Sequence, residues 1–418
     1  MQIMKTWKRS LRSIYVCIGL IVGLMLSTHS IFAEGNIHYG RLNVKPKISS
    51  SLSHESNVFS EDKDEIEDTI FTLKPSIMLD YLDNRPGNYF QTGYELELAS
   101  YFKQNNNNYQ KHQPYLKFGV QMPSGFLTRF SEQFMKTADP YGSRNSYGRG
   151  RKTARSENTI DITFGQFFTD RLSVETMYQV YALRYRDARD QHQDRTDNII
   201  TLGMYMLLTQ TRKTSLLAEY KYTNGTYDRQ DSSTSEDHNI NTFLVGLRFE
   251  PGGKLMGSAK LGFEGKSFDN PKAVISGNEY SYEDNTTWVI ETNVFFQMSE
   301  ISNIGFRFIR SIEGSPDRDA ASYVDTNIGF DLNHKVQHKV FFNSGLNWVN
   351  SDYRDERNGI PNKYFNLYSI YLGFEYHMKE WLNVTGKFSY ETKTASHSRY
   401  YSSEYSGNTL LLGMDASF

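Results

Sequence analysis

The sequence predicts an all-β fold, a transmembrane antiparallel up-and-down β-barrel of about eighteen strands with no plug domain, and three observations point there. Polar and apolar side chains alternate with a period of two. Long and short connections alternate between the segments that do so. Tyr (29) and Phe (27) are numerous although hydrophobic residues make up only 38% of the chain. A transmembrane strand needs apolar side chains on its lipid face alone, with aromatic girdles at both interfaces, so mean hydropathy averages two faces and hides the membrane. After Ala33 no apolar run approaches the ~20 residues of a spanning helix.

The alternation is clearest at the C-terminus. Leu410, Leu412, Met414, Ala416 and Phe418 share one face and Thr409, Gly413, Asp415 and Ser417 the other, with Leu411 breaking the pattern. Leu382, Val384, Phe388 and Tyr390 oppose Asn383, Thr385, Lys387, Ser389 and Glu391. Val324, Thr326, Ile328, Phe330 and Leu332 oppose Asp325, Asn327, Gly329 and Asp331. Trp288 to Phe296 and Leu116 to Met122 repeat the pattern, and none of these segments has the 3.6-residue period of a helix. Eighteen such segments centre near residues 48, 75, 95, 117, 130, 163, 177, 203, 219, 246, 261, 292, 307, 328, 346, 370, 387 and 412. The first two, the fifth and the thirteenth alternate least cleanly, which leaves sixteen strands open. The residues after Ala33 of the 418-residue chain divide into about 21 per strand, enough for ~9–11 embedded residues, extensions and one connection.

Short links fall at Asn84–Gly87, Pro123–Gly125, Thr169–Arg171, Thr211–Lys213, Pro251–Gly253, Ser299–Glu300, Lys335–Gln337 and Lys379–Glu380. Long polar stretches lie between them, at 54–65, 103–111, 137–157, 186–198, 224–240, 268–286, 312–322, 351–363 and 394–406. The series begins and ends with a long one. Short periplasmic turns and long outer loops produce this order when the strand number is even and both termini are periplasmic. The final Phe418, closing an aromatic-rich last strand, looks like the signal that such barrels present to the barrel-assembly machinery.

The first 33 residues read as an export address, and 34–418 as the barrel. Lys5, Lys8, Arg9 and Arg12 precede an apolar run from Ile14 to Leu26, and small or polar residues lead to a cleavage site after Ala33. Cys17, the one cysteine, sits inside that run and not at its end, against a lipid-attachment site. Cleavage would remove four positive charges and no acidic ones, taking the formal net charge from −2 to −6. That balance excludes the basic footprint of a nucleic-acid partner.

Chemistry at a site finds little support. His38, His54, His112, His192, His238, His334, His338, His377 and His397 are scattered, mostly in expected loops and turns, with no phosphate cradle and no metal-ligand spacing. No catalytic residue, cofactor or metal is expected, and the chain reads as a pore and not as an enzyme. Asp187, Asp190, Asp194 and Asp197 interleave with Arg184, Arg186, Arg189 and Arg195 in one outer loop. A calcium site and a self-neutralising solvated loop both fit this pattern, the second better. Arg149, Arg151, Lys152 and Arg155 form a basic run that either contacts lipopolysaccharide phosphates or is simply a charged loop. Asn105 to Asn108 make a polar loop tip.

The residues expected to face the lumen are more informative. They are Glu95, Glu97, Lys117, Arg129, Glu175, Glu219, Lys221, Arg248, Lys260, Glu264, Glu291, Arg307, Asp325, Asp331, Glu375, Lys387, Glu391 and Asp415. A cation at the bilayer midplane costs ~2–4 kcal/mol on the lipid face, so side chains of both signs belong inside, in water. Mixed charge implies weak ion selectivity. Tyr and Asn among them would suit a carbohydrate, whose hydroxyls need partners and whose ring faces stack on aromatics. Any wet lumen shares these traits.

One segment carries a family likeness. Pro46-Lys47-Ile48-Ser49-Ser50-Ser51-Leu52-Ser53, followed by Glu55-Ser56-Asn57-Val58-Phe59, resembles the first strand of the outer-membrane β-barrel porins found with exopolysaccharide gene sets, a family whose second strand is also proline-led, as Leu73-Lys74-Pro75-Ser76-Ile77 is here. The position before Asn57, often Asp in that family, is Ser56. The resemblance implies export of a polysaccharide chain through the outer membrane, with periplasmic polysaccharide-export proteins as separate partners. Three functions stay open: an export porin, a general or solute-selective diffusion porin in which 137–157 would constrict the lumen, and a surface ligand-binding barrel.

Overall fold

Every one of the eighteen alternating segments is a strand in the computed structural model. The structure describes residues 37–83, 87–138, 153–188, 190–209, 214–228, 236–249, 252–269, 272–275, 278–281, 284–314, 322–353, 363–395 and 404–418. The expected export address at 1–33, most of the basic run and the tip of 137–157 lie outside these residues. The strands are β1 (Leu42–Glu55), β2 (Asp68–Leu82), β3 (Tyr89–Tyr101), β4 (Tyr109–Gln121), β5 (Phe126–Thr137) and β6 (Arg155–Phe167). They continue as β7 (Leu172–Tyr185), β8 (Arg195–Thr209), β9 (Thr214–Tyr227), β10 (His238–Phe249), β11 (Leu255–Phe268) and β12 (Asn285–Ser299). The last are β13 (Ser302–Gly314), β14 (Ser322–Gln337), β15 (Val340–Tyr353), β16 (Lys363–Lys379), β17 (Leu382–Ala395) and β18 (Tyr405–Ser417).

Each strand pairs antiparallel with the next, and β18 pairs back onto β1 from Lys47↔Ser417 to Glu55↔Thr409. The sheet is therefore a closed barrel of eighteen strands, not sixteen. A strand Ile37–Tyr39 folds back onto β1, and a hairpin of Lys272–Ile275 and Asn278–Ser281 rises from one long loop. Among the described residues there is no α-helix and no separate plug. Registers climb steadily from strand to strand, giving the stagger that tilts barrel strands by ~35–45°. With strands ~4.8 Å apart, eighteen of them close at a Cα radius of roughly 18 Å, wide enough for an aqueous lumen.

The outward face is apolar. Phe243, Val245 and Phe263 are 60%, 61% and 67% exposed, and they belong to a continuous band with Leu202, Met204, Leu261, Phe330, Leu346, Leu372 and Leu412. Water would not tolerate such a band on a monomer, whereas acyl chains cover it. At its outer edge Tyr and Trp side chains donate to asparagines on the next strand. Tyr178 bonds Asn198 at 2.7 Å, Tyr220 bonds Asn241 at 2.7 Å, Tyr222 bonds Asn239 at 2.6 Å and Trp348 bonds Asn366 at 3.1 Å. Each anchors an amphipathic ring where hydrocarbon meets headgroups.

Several boundaries differ from expectation. The turns expected at Lys335–Gln337 and Lys379–Glu380 fall at His338–Lys339 and Glu380–Trp381, because strands run on past the apolar band into polar sequence. The same overshoot puts His54, His112, His238, His334 and His377 on strands and not in loops or turns. Prolines interrupt the ladder, having no N–H to give. β2 and β3 lose their pairing between Leu73↔Leu98 and Ser76↔Glu95, beside Pro75, and β4 and β5 lose theirs between His112↔Lys136 and Tyr115↔Gln133, beside Pro114.

The closing seam explains the opening motif. Asn57 donates to the Ser406 carbonyl at 3.0 Å and the Glu61 carbonyl at 2.8 Å, and accepts from the Glu61 N–H at 3.1 Å. Val58, 2% exposed, packs with Ile70, Ala99 and Tyr101, and Phe59 leans on that cluster. Ser56 Oγ accepts the Asn408 N–H at 2.9 Å, as an Asp oxygen would. At the other end of the seam the Phe418 N–H bonds the Pro46 carbonyl at 2.9 Å, and its ring stacks on Trp381.

Candidate functional site: the lumen wall

Side chains on the concave face of a closed sheet converge, and those on the convex face splay. Lys260 on β11 reaches Glu219 on β9 at 2.8 Å, Tyr371 on β16 reaches Asp331 on β14 at 2.7 Å, and Arg307 on β13 reaches Asn347 on β15 at 3.2 Å. Each contact skips the strand between, which marks this face as the interior. By strand register Glu95, Glu97, Lys117, Arg129, Glu175, Glu219, Lys221, Arg248, Lys260, Glu264, Glu291, Arg307, Asp325, Asp331, Glu375, Lys387, Glu391 and Asp415 all lie on it.

The charges are tied together, not lined up by sign. Lys260 bridges Glu219 and Glu291, the second at 2.7 Å, and Lys221 approaches Glu291 at 3.9 Å. Elsewhere Lys74 pairs with Glu97 at 2.9 Å, Arg129 with Glu175 at 3.6 Å, and Lys47 with Asp415 at 3.3 Å. Hydroxyls hold other carboxylates. Tyr109 donates to Glu97 at 2.7 Å, Tyr205 to Glu219 at 3.1 Å, Tyr371 to Asp331 at 2.7 Å, Tyr405 to Glu391 at 2.5 Å, and Ser351 to Asp325 at 2.8 Å. Arg248 lies 5.1 Å over the Tyr205 ring and Lys387 4.3 Å over Tyr371.

Four of the lumenal tyrosines lie flat. Tyr115 covers Gly93 on the neighbouring strand, Tyr89 covers Gly119, Tyr371 covers Gly345, and Tyr205 covers Gly203 along its own strand. A Cβ at Gly93 would stand 2.7 Å from ring carbons of Tyr115, so only glycine admits the ring. The rings are half-buried, each against a glycine of the wall, and cations lie over two of them, Lys387 over Tyr371 and Arg248 over Tyr205. The expected inward set counted Tyr among its members but singled out none of these four. Their parity, shared with the charged residues, was the available signal. It also missed Lys74, Glu157, Asp161, Arg195, Asp197 and Lys266, which sit beyond the clearest alternation.

The carboxylates of the 187–197 loop do not converge on a cation. Asp197 pairs with Arg195 at 3.2 Å, Asp194 accepts the Tyr185 N–H at 2.6 Å, and Asp190 is buried in the turn. Among the described residues no three His, Cys, Asp or Glu side chains form a metal-binding group. The tip of 137–157, expected as a constriction, lies outside the described residues.

A family model described as "Putative beta-barrel porin 2" matches residues 32–418. The chain belongs to this porin family. It is accordingly a protein of the bacterial outer membrane. No curated protein matches the porin. Among solved structures it is similar to the outer membrane protein opdK of Pseudomonas aeruginosa, with 8% identity over 90% of this chain and 99% of that one, at a TM-score of 0.45. A ferric enterobactin receptor of Pseudomonas aeruginosa matches at 8% identity over 90% and 81% of the chains, TM-score 0.44. The FrpB iron transporter of Neisseria meningitidis matches at 8% over 90% and 82%, TM-score 0.43. At these scores the likeness says nothing of this porin's cargo.

Proposed function

We propose that this porin is a passive, water-filled channel that exports a polysaccharide across the outer membrane, without enzymatic chemistry. The lumen wall carries the reading. Tyrosines laid against glycines, Tyr89 and Tyr115 among them, give a sliding polymer aromatic surface for sugar rings, and the paired side chains around them offer donors and acceptors for hydroxyls. Among the described residues, pairing of opposite charges leaves no single-sign ring to select small ions. The likeness of residues 46–59 to porins found with exopolysaccharide genes supports the same cargo class. On this reading periplasmic export proteins dock on the short-turn end, and Phe418 presents the assembly signal.

Purified porin in planar bilayers is expected to give long-lived openings with weak ion selectivity, blocked reversibly by the cell's own polysaccharide. Deleting the gene should leave polymer synthesis intact and strip polymer from the cell surface. A folded but silent protein would count against the channel itself. Normal surface polymer in the deletion strain would remove export and leave small-solute diffusion.

A further inference from the structure

The outer edge of the apolar band is uneven in charge. At that height most outward positions are neutral: Ser100, Asn198, Asn239, Asn241, Asn350, Asn366, Thr392 and Asn408 by register. The sector formed by β4 to β7 differs. His112 pairs with Lys136, Lys136 with Ser156 and Ser156 with Arg184, so these four stand in one row on the outward face. Arg186 follows Arg184 one step further out, its N–H bonded to the Ala154 carbonyl. Beneath the row the same face carries Leu116, Phe118, Phe130, Ile160, Ile162 and Val180, which is the lipid belt.

Arg184 is engaged by Asp228 at 2.9 Å. Lys136 and Arg186 are exposed, and among the described residues no carboxylate pairs with either. The row borders a groove of about 900 Å³ lined also by Ser100, Gln110 and Tyr109. Arg310, an outward cation on the far side of the barrel, is already spent, bonded to Thr326 at 2.8 Å and Thr287 at 3.2 Å and lying 4.5 Å over Trp288.

We propose that the His112–Lys136–Arg184–Arg186 row is a binding site for the phosphorylated headgroup of an outer-leaflet glycolipid. Three arguments select this occupant. The cations stand just above the hydrocarbon, where a lipid phosphate sits while its chains lie along the belt. The groove is lined by the outward-facing Ser100, Gln110, Lys136 and Ser156, which places it on the lipid side of the wall. Lys136 and Arg186, with no carboxylate partner among the described residues, supply the charge-assisted bonds that phosphate oxygens accept.

The test is native mass spectrometry of the detergent-solubilised porin titrated with bis-phosphorylated lipid A, the same lipid A after dephosphorylation, and inorganic phosphate. The phosphorylated lipid should bind. Combining Lys136→Gln with Arg186→Gln should weaken it by roughly tenfold or more, while Arg310→Gln leaves it unchanged. Folding of each variant is checked by its heat-dependent shift on gels. Equal binding of the dephosphorylated lipid to the wild-type porin would overturn the proposal even if the double variant failed to fold. So would undiminished binding in a folded double variant, or full displacement by millimolar inorganic phosphate.

Discussion

Asn57 holds two distant parts of the chain together through one amide. Its Nδ2 group serves the Ser406 and Glu61 carbonyls while its Oδ1 receives the Glu61 N–H. Asn57→Ala removes all three bonds at the point where the last strand meets the first outer loop. The expected loss is about 2 kcal/mol of barrel stability, read as a lower temperature for the folded-to-unfolded gel shift. Asn57→Asp keeps the acceptor but places a carboxylate against carbonyl oxygens, so it should not rescue. Glu132 makes the opposite case. It stands on the outward face of β5, opposite Leu116 and Ile160, within the belt. A carboxylate there is a liability, smaller than the ~2–4 kcal/mol of a midplane cation. Glu132→Leu is expected to raise stability in urea by about 1 kcal/mol, and a destabilised variant would show that a polar partner covers this position in the membrane.

Within the strands, glycine and tyrosine act as a unit. Gly345 on β15 lets the Tyr371 ring of β16 lie against the wall, and that posture puts the Tyr371 hydroxyl on Asp331 and its ring under Lys387. Gly345→Val would push the ring off the backbone and into the water column. The expected result is a smaller single-channel conductance and weaker polysaccharide block, with stability lowered by the lost Tyr–Asp bond. Conductance equal to wild type would mean that the ring does not border the conduction path. Such pairs were out of reach of sequence reading, because they depend on which residues face each other across strands. Alternation alone fixes the face of a residue such as Glu219 or Asp331, but not its neighbour. The same limit explains the misplaced ends. A polar run such as Lys335-Val336-Gln337 looks like a turn, yet its backbone remains paired, since strands protrude from the band into headgroups and water.

For the molecule as a whole, strand number and closure were legible because lipid imposes a two-residue rule on every segment, and the even count follows from where long and short connections fall. The electrical character of the lumen was legible only as composition. Its distribution depends on contacts such as the Glu219–Lys260–Glu291 bridge, with Lys221 alongside. That cluster holds two acids and two bases, so it contributes little net charge to the path of an ion. Replacing Lys221 and Lys260 together by Gln would leave Glu219 and Glu291 uncovered on one sector of the wall, with only the Tyr205 hydroxyl still bonded to Glu219. Two uncompensated carboxylates in a lumen of this width attract cations over about a Debye length, ~10 Å at 0.1 M salt. In a potassium chloride gradient the reversal potential should therefore move toward that of a cation-selective channel, and the move should shrink as salt rises. A stability loss of about 1–3 kcal/mol should accompany it, because acids that shared half-buried cations lose their partners. An unmoved reversal potential in a folded, conducting variant would place this cluster outside the ion path and the neutralised wall with it.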